Sequence, residues 1–242
     1  MSQGVFLFGA GSQKLIARVE AEIVHHRRTV ADLSRRASTG ILEVDAEVVV
    51  SQMLEGCKLI LDRAMNAVWH AHGVPRPGAK KPNIYFPCKH NALAFETELQ
   101  KNQLGRLQRD NPNCYKAIQS AQPFVSPTNC WLTDLYELTK DKHESYVEIA
   151  STQDTEMRIG AGQCGTIMQI VIGQDGRIYA DADMKDSRSG KPAQVRLTFT
   201  EKFNHALSAT GTDLVTHCSR CIDHVEGVFK AVMGALPSSS TN

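Results

Sequence analysis

The chain has 242 residues, of which 42% are hydrophobic and 22% charged, as in an ordinary globular protein. Its net charge of +1 argues against a protein built to coat nucleic acid, although a local basic patch is compatible with that total. No apolar run approaches the roughly 20 residues of a membrane span, and no basic segment precedes the short apolar start, so neither a membrane span nor a secretion signal is predicted. Seven scattered cysteines, an odd number, indicate reduced thiols in a cytoplasmic protein.

Helical periodicity dominates the first 144 residues. Ser12 is a candidate N-cap for the first helix, and Thr128 or Asn129 for the last helix of this region. The predicted helices cover residues 13–36, 44–72, 92–107, 115–121 and 131–143. Proline and glycine mark the loop that follows His72.

Alternating polarity replaces the helical period after residue 144. Strands are predicted at 145–151, 166–172, 177–182 and 194–200, followed by a helix at 213–236. The fold class is therefore α+β: an N-terminal helical bundle-like region at 1–144, then a small antiparallel sheet with a closing C-terminal helix at 145–236. We expect the two regions to pack as one unit and the tail at 237–242 to be disordered.

Arg63 and His70 lie seven residues apart on the second predicted helix, nearly two turns, and so face the same side. A histidine can move the proton of a ribose 2′-hydroxyl, and an arginine can stabilise the charged phosphorane, in RNA cleavage without a metal. The Arg-x6-His spacing is similar to the motif of HEPN-type ribonucleases, helical bundles that usually dimerise across it. Ala64 stands where those motifs usually carry a polar residue. The alternative is the ordinary polar stripe of an amphipathic helix.

Four arginines of the first helix fall at spacings that form one patch: Arg27, Arg28, Arg35 and Arg36. Arginine forks suit phosphate oxygens, so an RNA-backbone contact is one interpretation. The other is a solvated face whose arginines pair with acids elsewhere in the chain.

The segment HCSRCIDH of the last helix carries His217, Cys218, Cys221 and His224. Thiolate and imidazole are ligands that zinc prefers, which makes zinc binding a third hypothesis. Buried cysteines that pack against the rest of the fold are the simpler interpretation, and we predict neither a resident metal nor a cofactor.

The segment Asp141-Lys142-His143 closes the helix predicted at 131–143. The long second helix, then Phe86-Pro87, Gln122-Pro123 and this DKH segment follow one another in an order that resembles a group of uncharacterised bacterial proteins. Their layout of a small sheet and a final helix agrees with that predicted for residues 45–235. The long-helix motif of that group departs here, since its usual arginine falls on Asp62 and its histidine on Ala67.

Two functions from different classes remain open. One is a HEPN-like, metal-independent RNA-binding or RNA-cleaving protein of a stress or phage response. In it Arg63, His70, His143 and Asp141 form the catalytic site, and Lys142 joins the arginine patch of the first helix in binding RNA. The other is a non-enzymatic helical interaction module that binds a protein partner or a second copy of itself, with Asp141, Lys142 and His143 as architecture.

Overall fold

The computed structural model has an α+β fold and describes residues 8–40, 42, 45–74, 82–140, 148–159, 163–172, 178–192 and 197–237. Its helices are α1 (Phe8–Ser38), α2 (Asp45–His72), α3 (Ala92–Lys101), α4 (Leu107–Asp110), α5 (Pro112–Ser120), α6 (Cys130–Leu138) and α7 (Leu214–Ala235), with a 3-10 helix at Pro127–Asn129. Its strands are β1 (Ile149–Ile159), β2 (Gln163–Ile172), β3 (Ile178–Asp186) and β4 (Leu197–Leu207).

The chain divides into two compact units, one formed by residues 1–150 and 205–242 and the other by residues 151–204. Helix α7 therefore belongs with the N-terminal helices, whereas the sequence suggested a boundary at residue 144 that grouped it with the strands. Within the first unit α7 packs against α1, α2 and α5.

Helix α2 is the centre of the first unit, and α1, α6 and α7 pack around it. Its acidic first turn and its two histidines in the last turn complement the helix dipole. Apolar side chains recur at helical spacing and are buried: Val50, Met53, Leu54, Cys57, Ile60, Leu61, Ala64, Met65 and Val68. Because this burial covers more than one face, α2 is a core helix rather than a surface helix.

The strands form two pairs, β1 with β4 and β2 with β3. Strands β2 and β3 are antiparallel, as predicted, with a register irregularity between Ile167 and Gln169. In the described part of the chain every helix is too short or too polar to cross a membrane.

Several predicted boundaries were wrong. Helix α1 already includes Phe8, so Ser12 lies inside the helix and is not its N-cap. The helix predicted at 92–107 is interrupted after Lys101, where Gln103 adopts a left-handed φ of 61°. Asn129 precedes α6, but its side chain donates to the Ser120 and Gln122 carbonyls instead of capping the helix.

Helix α6 ends at Leu138 because Thr139, whose Oγ1 donates to the Leu135 carbonyl (2.7 Å), closes it in a turn. The sequence predicted that this helix continues to residue 143. Thr139 and Lys140 are not helical, and residues 141–143 lie outside the described residues. The tail prediction at 238–242 falls outside the described residues.

Candidate functional site

Arg63, the proposed phosphate ligand, pairs with Glu22 of α1. The Arg18 guanidinium also approaches the Glu22 carboxylate, with an N–O distance of 3.4 Å. The Arg63 side chain is only 23% exposed. Its charge therefore ties α2 to α1, and a phosphate would have to compete with Glu22 for the guanidinium.

His70 lies on the exposed side of the last turns of α2. Its ring meets the Trp69 ring edge-on, with centroids 5.2 Å apart. Three further residues of the predicted catalytic and RNA-binding set, Asp141, Lys142 and His143, lie outside the described residues. The described geometry thus gives Arg63 a carboxylate partner and leaves the meeting of Arg63, His70 and His143 as a prediction.

Two polar residues beside Arg63 on α2, Asp62 and Asn66, hold an extended segment, residues 82–89, against the helix. The Asp62 carboxylate accepts a hydrogen bond from the Phe86 N–H (2.8 Å). The Asn66 amide donates to the Ile84 carbonyl (3.2 Å) and to the Asp62 carbonyl (2.9 Å). This part of the α2 stripe therefore has a structural task.

The Phe86-Pro87 and Gln122-Pro123 motifs meet at the same segment. The Gln122 side chain is fully buried, donates to the Pro87 carbonyl (2.9 Å) and accepts from the Lys89 N–H (3.1 Å). The Tyr136 hydroxyl donates to the Phe86 carbonyl. Burial raises the pKa of Tyr136 well above its ordinary value, which keeps the hydroxyl protonated as a donor.

Three of the four arginines of the predicted RNA-binding patch on α1 pair with acids. Arg27 contacts Glu226 (2.6 Å) and Asp223 (2.7 Å) on α7, and these hydrogen bonds raise its pKa. Arg36 contacts Asp45 (2.6 Å), and Arg35 pairs with Asp32. Arg28 is exposed and forms no ion pair among the described residues. The predicted phosphate patch is thus largely neutralised by neighbouring carboxylates.

The HCSRCIDH segment is mostly core. Cys218 and Cys221 are buried, and the Cys221 thiol forms a hydrogen bond with Cys57 of α2, which together with burial raises its pKa well above the ordinary value. His217 is also buried, and the His224 ring stacks on Trp131 with centroids 5.0 Å apart. Among the described residues no cluster of His, Cys, Asp and Glu side chains is arranged to hold a metal ion.

An open groove of about 400 Å³ lies on α2 beside the extended segment. We call it the Leu59 groove; it is lined by Gln52, Glu55, Gly56, Lys58, Leu59, Asp62, Tyr85 and Thr139. Leu59 is 46% exposed and Tyr85 is 57% exposed, so the groove presents two large apolar surfaces to solvent. The Lys58 ammonium lies 4.7 Å from the centre of the Tyr136 ring and forms one wall.

Sequence reasoning missed this groove. Leu59 sits between the buried positions of a helix that was predicted, and it differs from them only by falling on the outer side of the repeat. The outward position of Leu59 could have been predicted from this spacing. The placement of Tyr85 beside it depends on hydrogen bonds between distant parts of the chain. Comparison with protein-family models, with curated proteins and with solved structures finds no match to this chain.

Proposed function

We propose that the chain is a non-enzymatic interaction module and that the Leu59 groove is its docking surface for a segment of a partner protein. The observation that carries the proposal is the exposure of Leu59 and Tyr85 side by side in an open groove. Large apolar side chains grouped in a concave surface with a polar rim are typical of protein-binding sites.

The use made of the polar residues around the groove supports the same function. Asp62 and Asn66 bind backbone groups of the extended segment, and Arg63 binds Glu22. A catalytic site needs polar groups directed at a substrate. Here Asp62, Arg63 and Asn66 hold the fold together, which leaves apolar contact as the main resource of this surface.

The charges of the groove indicate the chemistry of the partner. Lys58 is placed over the Tyr136 ring, whereas Glu55 forms no ion pair among the described residues. A partner segment that fits presents an aliphatic or aromatic side chain to Leu59 and Tyr85 and a lysine or arginine to Glu55.

Selection of random peptides displayed on phage against the purified protein tests the proposal. We expect enriched peptides that combine apolar and basic residues, and at least about tenfold weaker binding of these peptides to the Leu59→Asp/Tyr85→Ser variant. The control is Leu93→Asp, because Leu93 is 78% exposed on α3 and does not line the groove. Glu55→Lys should shift the selected peptides towards acidic residues. Equal binding to wild type and to the groove variant would contradict the proposal.

Self-association is the other outcome that this test must separate. Sedimentation equilibrium of wild type and of Leu59→Asp measures it directly. If the wild type is a dimer and Leu59→Asp is a monomer, a second copy of the chain occupies the groove instead of a different protein.

Metal-independent RNA cleavage is the competing proposal, favoured by Arg63 and the exposed His70 lying seven residues apart on α2. It is tested by incubating total RNA in EDTA with wild type and with Arg63→Ala/His143→Ala. If Arg63 binds phosphate, Glu22→Gln should increase cleavage, because it frees the guanidinium. Cleavage by wild type but not by the double variant would replace the module proposal, and no cleavage by any of the three proteins is the result that the module proposal predicts.

A further inference from the structure

We propose that His72, Asn111 and the Ala235 carbonyl form an acid-sensitive latch, which joins the ends of α2 and α7 to the start of α5 and opens when the His72 imidazole takes up a proton. This latch goes beyond the docking function, since it concerns the far end of the helical unit and none of its residues lines the Leu59 groove.

Asn111 is the centre of the latch. Its Oδ1 accepts a hydrogen bond from the Cys114 N–H (3.0 Å), which caps α5. Its Nδ2 donates to the Ala235 carbonyl at the end of α7 (2.8 Å). The same Nδ2 lies 3.2 Å from Nε2 of His72 in the last turn of α2. One amide thus connects three helices that are far apart in the sequence.

The partners of Asn111 determine the protonation state of His72. The Cys114 N–H requires an oxygen and the Ala235 carbonyl requires an N–H, so the orientation of the amide is fixed by both. Its second N–H then points at Nε2 of His72, which must accept with its lone pair. The latch therefore needs a neutral imidazole with its proton on Nδ1.

Protonation of Nε2 places two donors against each other. The imidazolium has no acceptor left for the Asn111 N–H, and rotation of the amide would give up both the α5 cap and the bond to Ala235. The latch must then open, either by displacement of the His72 ring or by separation of the α7 end from α5.

The charges around His72 compete with burial. Asp110, at the end of α4, favours the imidazolium, but the Arg109 side chain holds its carboxylate at 2.8 Å. The C-terminal dipole of α2 also favours a cation. Burial outweighs the Asp110 effect and leaves the pKa of His72 below its ordinary value of 6.5.

The direction of the pH effect follows from the lowered pKa of His72 in the closed latch. A histidine freed from the latch takes up a proton near pH 6.5, above the pKa of the latched one. The closed state is therefore most favoured above pH 6.5, and the opening equilibrium constant rises, by at most about tenfold per pH unit, as pH falls from there towards the lowered pKa.

The test combines an NMR titration of His72 with hydrogen–deuterium exchange of the intact chain between pH 7.5 and 5.0. We expect the pKa of His72 below 6.5, and faster exchange at low pH in peptides from α5 and from the end of α7, after correction for intrinsic rates. Gln places a non-titrating amide oxygen close to where Nε2 sits, so His72→Gln should remove this pH dependence. The control is His70→Gln, which changes an exposed histidine of the same helix and should leave the dependence intact.

The Asn111→Asp variant should reverse the direction of the pKa shift of His72. Its carboxylate gives up the hydrogen bond to the Ala235 carbonyl but still accepts from the Cys114 N–H and now also accepts from the imidazolium, so the pKa of His72 should rise above 6.5. A wild-type pKa at or above 6.5 would overturn the proposal, and this measurement depends on no variant. Equal pH dependence of exchange in wild type and His72→Gln would overturn it as well.

Discussion

Gln122 illustrates, at the scale of a residue, how one buried amide organises distant segments. Its Nε2 donates to the Pro87 carbonyl (2.9 Å) and the Ile118 carbonyl (3.1 Å), and its Oε1 accepts from the Lys89 N–H (3.1 Å). The side chain is completely buried, so its amide group does not have water as an alternative partner. The sequence singled out Gln122 and Pro87 as motif residues but did not place them in contact.

Replacing Gln122 by leucine should lower the free energy of unfolding by about 2–4 kcal/mol, because it keeps the side-chain volume but leaves buried backbone groups without partners. Urea denaturation followed by circular dichroism measures the change. Gln108→Leu on α4 is the control, since Gln108 is exposed and its replacement should change stability by less than about 0.5 kcal/mol. A loss of under about 1 kcal/mol in Gln122→Leu would contradict this role.

The candidate site was harder to predict than its individual residues. The α2 stripe and the α1 arginines were predicted from spacing alone, but their partners are Glu22, Asp223 and Glu226, up to 199 residues away. Local spacing gives the side of a helix on which a charge lies and not the carboxylate that it meets. The interpretation of the arginines as a face paired with acids was the one that the contacts support.

At the scale of the elements, α1 and α2 approach each other closely at Gly56. A Cβ atom added to Gly56 would lie 2.5 Å from Nε2 of His26, and the His26 side chain is itself buried. The absence of a side chain at residue 56 therefore makes room for the imidazole. Glycine inside a helix otherwise costs about 1 kcal/mol relative to alanine.

Gly56→Ala should therefore destabilise the protein by about 1–3 kcal/mol through overpacking, despite the better helix propensity of alanine. Gly227→Ala on α7 is the matched control, because no atom lies within 4 Å of its added Cβ, and it should stabilise by about 0.5–1 kcal/mol. Thermal and urea unfolding of both variants compare the two signs. In the His26→Ala background the penalty of Gly56→Ala should disappear, and a penalty that persists there would show that His26 is not its cause.

The helices were more predictable than their ends. The existence of α2 and α7 follows from long apolar repeats, whereas the break after Lys101 depends on a left-handed Gln103 and a hydrogen bond from the Leu104 N–H to the Leu99 carbonyl (2.7 Å). Glycine and asparagine usually occupy such positions, so glutamine gave no warning. The end of α6 at Thr139 was not predicted either, because threonine, like glutamine, is not a residue that usually marks a helix end.

At the scale of the whole molecule, residues 151–204 interrupt a unit that is completed only by α7. The chain leaves and re-enters the first unit at adjacent points, since the Ser208 N–H donates to the Glu148 carbonyl (3.0 Å). The sequence could not show this, because periodicity assigns a helix but not the unit that it joins. The sequence analysis grouped α7 with the strands that precede it in the chain, whereas α7 belongs to the helical unit.

Replacement of residues 151–204 by a two-residue Asn-Gly turn should therefore leave the helical unit folded, because such a turn connects adjacent chain segments without strain. A native-like far-UV circular dichroism spectrum and a cooperative thermal transition within about 8 °C of the wild-type midpoint are expected, which for a unit of this size corresponds to a change of at most roughly 2–4 kcal/mol. The control lacks residues 205–237 and should not unfold cooperatively, since it has lost α7. A non-cooperative excision variant would show that the helical unit depends on the inserted one.

The position of α7 also has a consequence for biosynthesis. While a ribosome extends the chain, α1 and α2 are made first, but the helix that covers Cys57 and its apolar neighbours emerges only after residue 214. Until then the side of the α1–α2 pair that α7 will cover remains an exposed apolar surface, the kind of surface that chaperones hold. The helical unit consequently reaches its native packing only after α7 has left the exit tunnel.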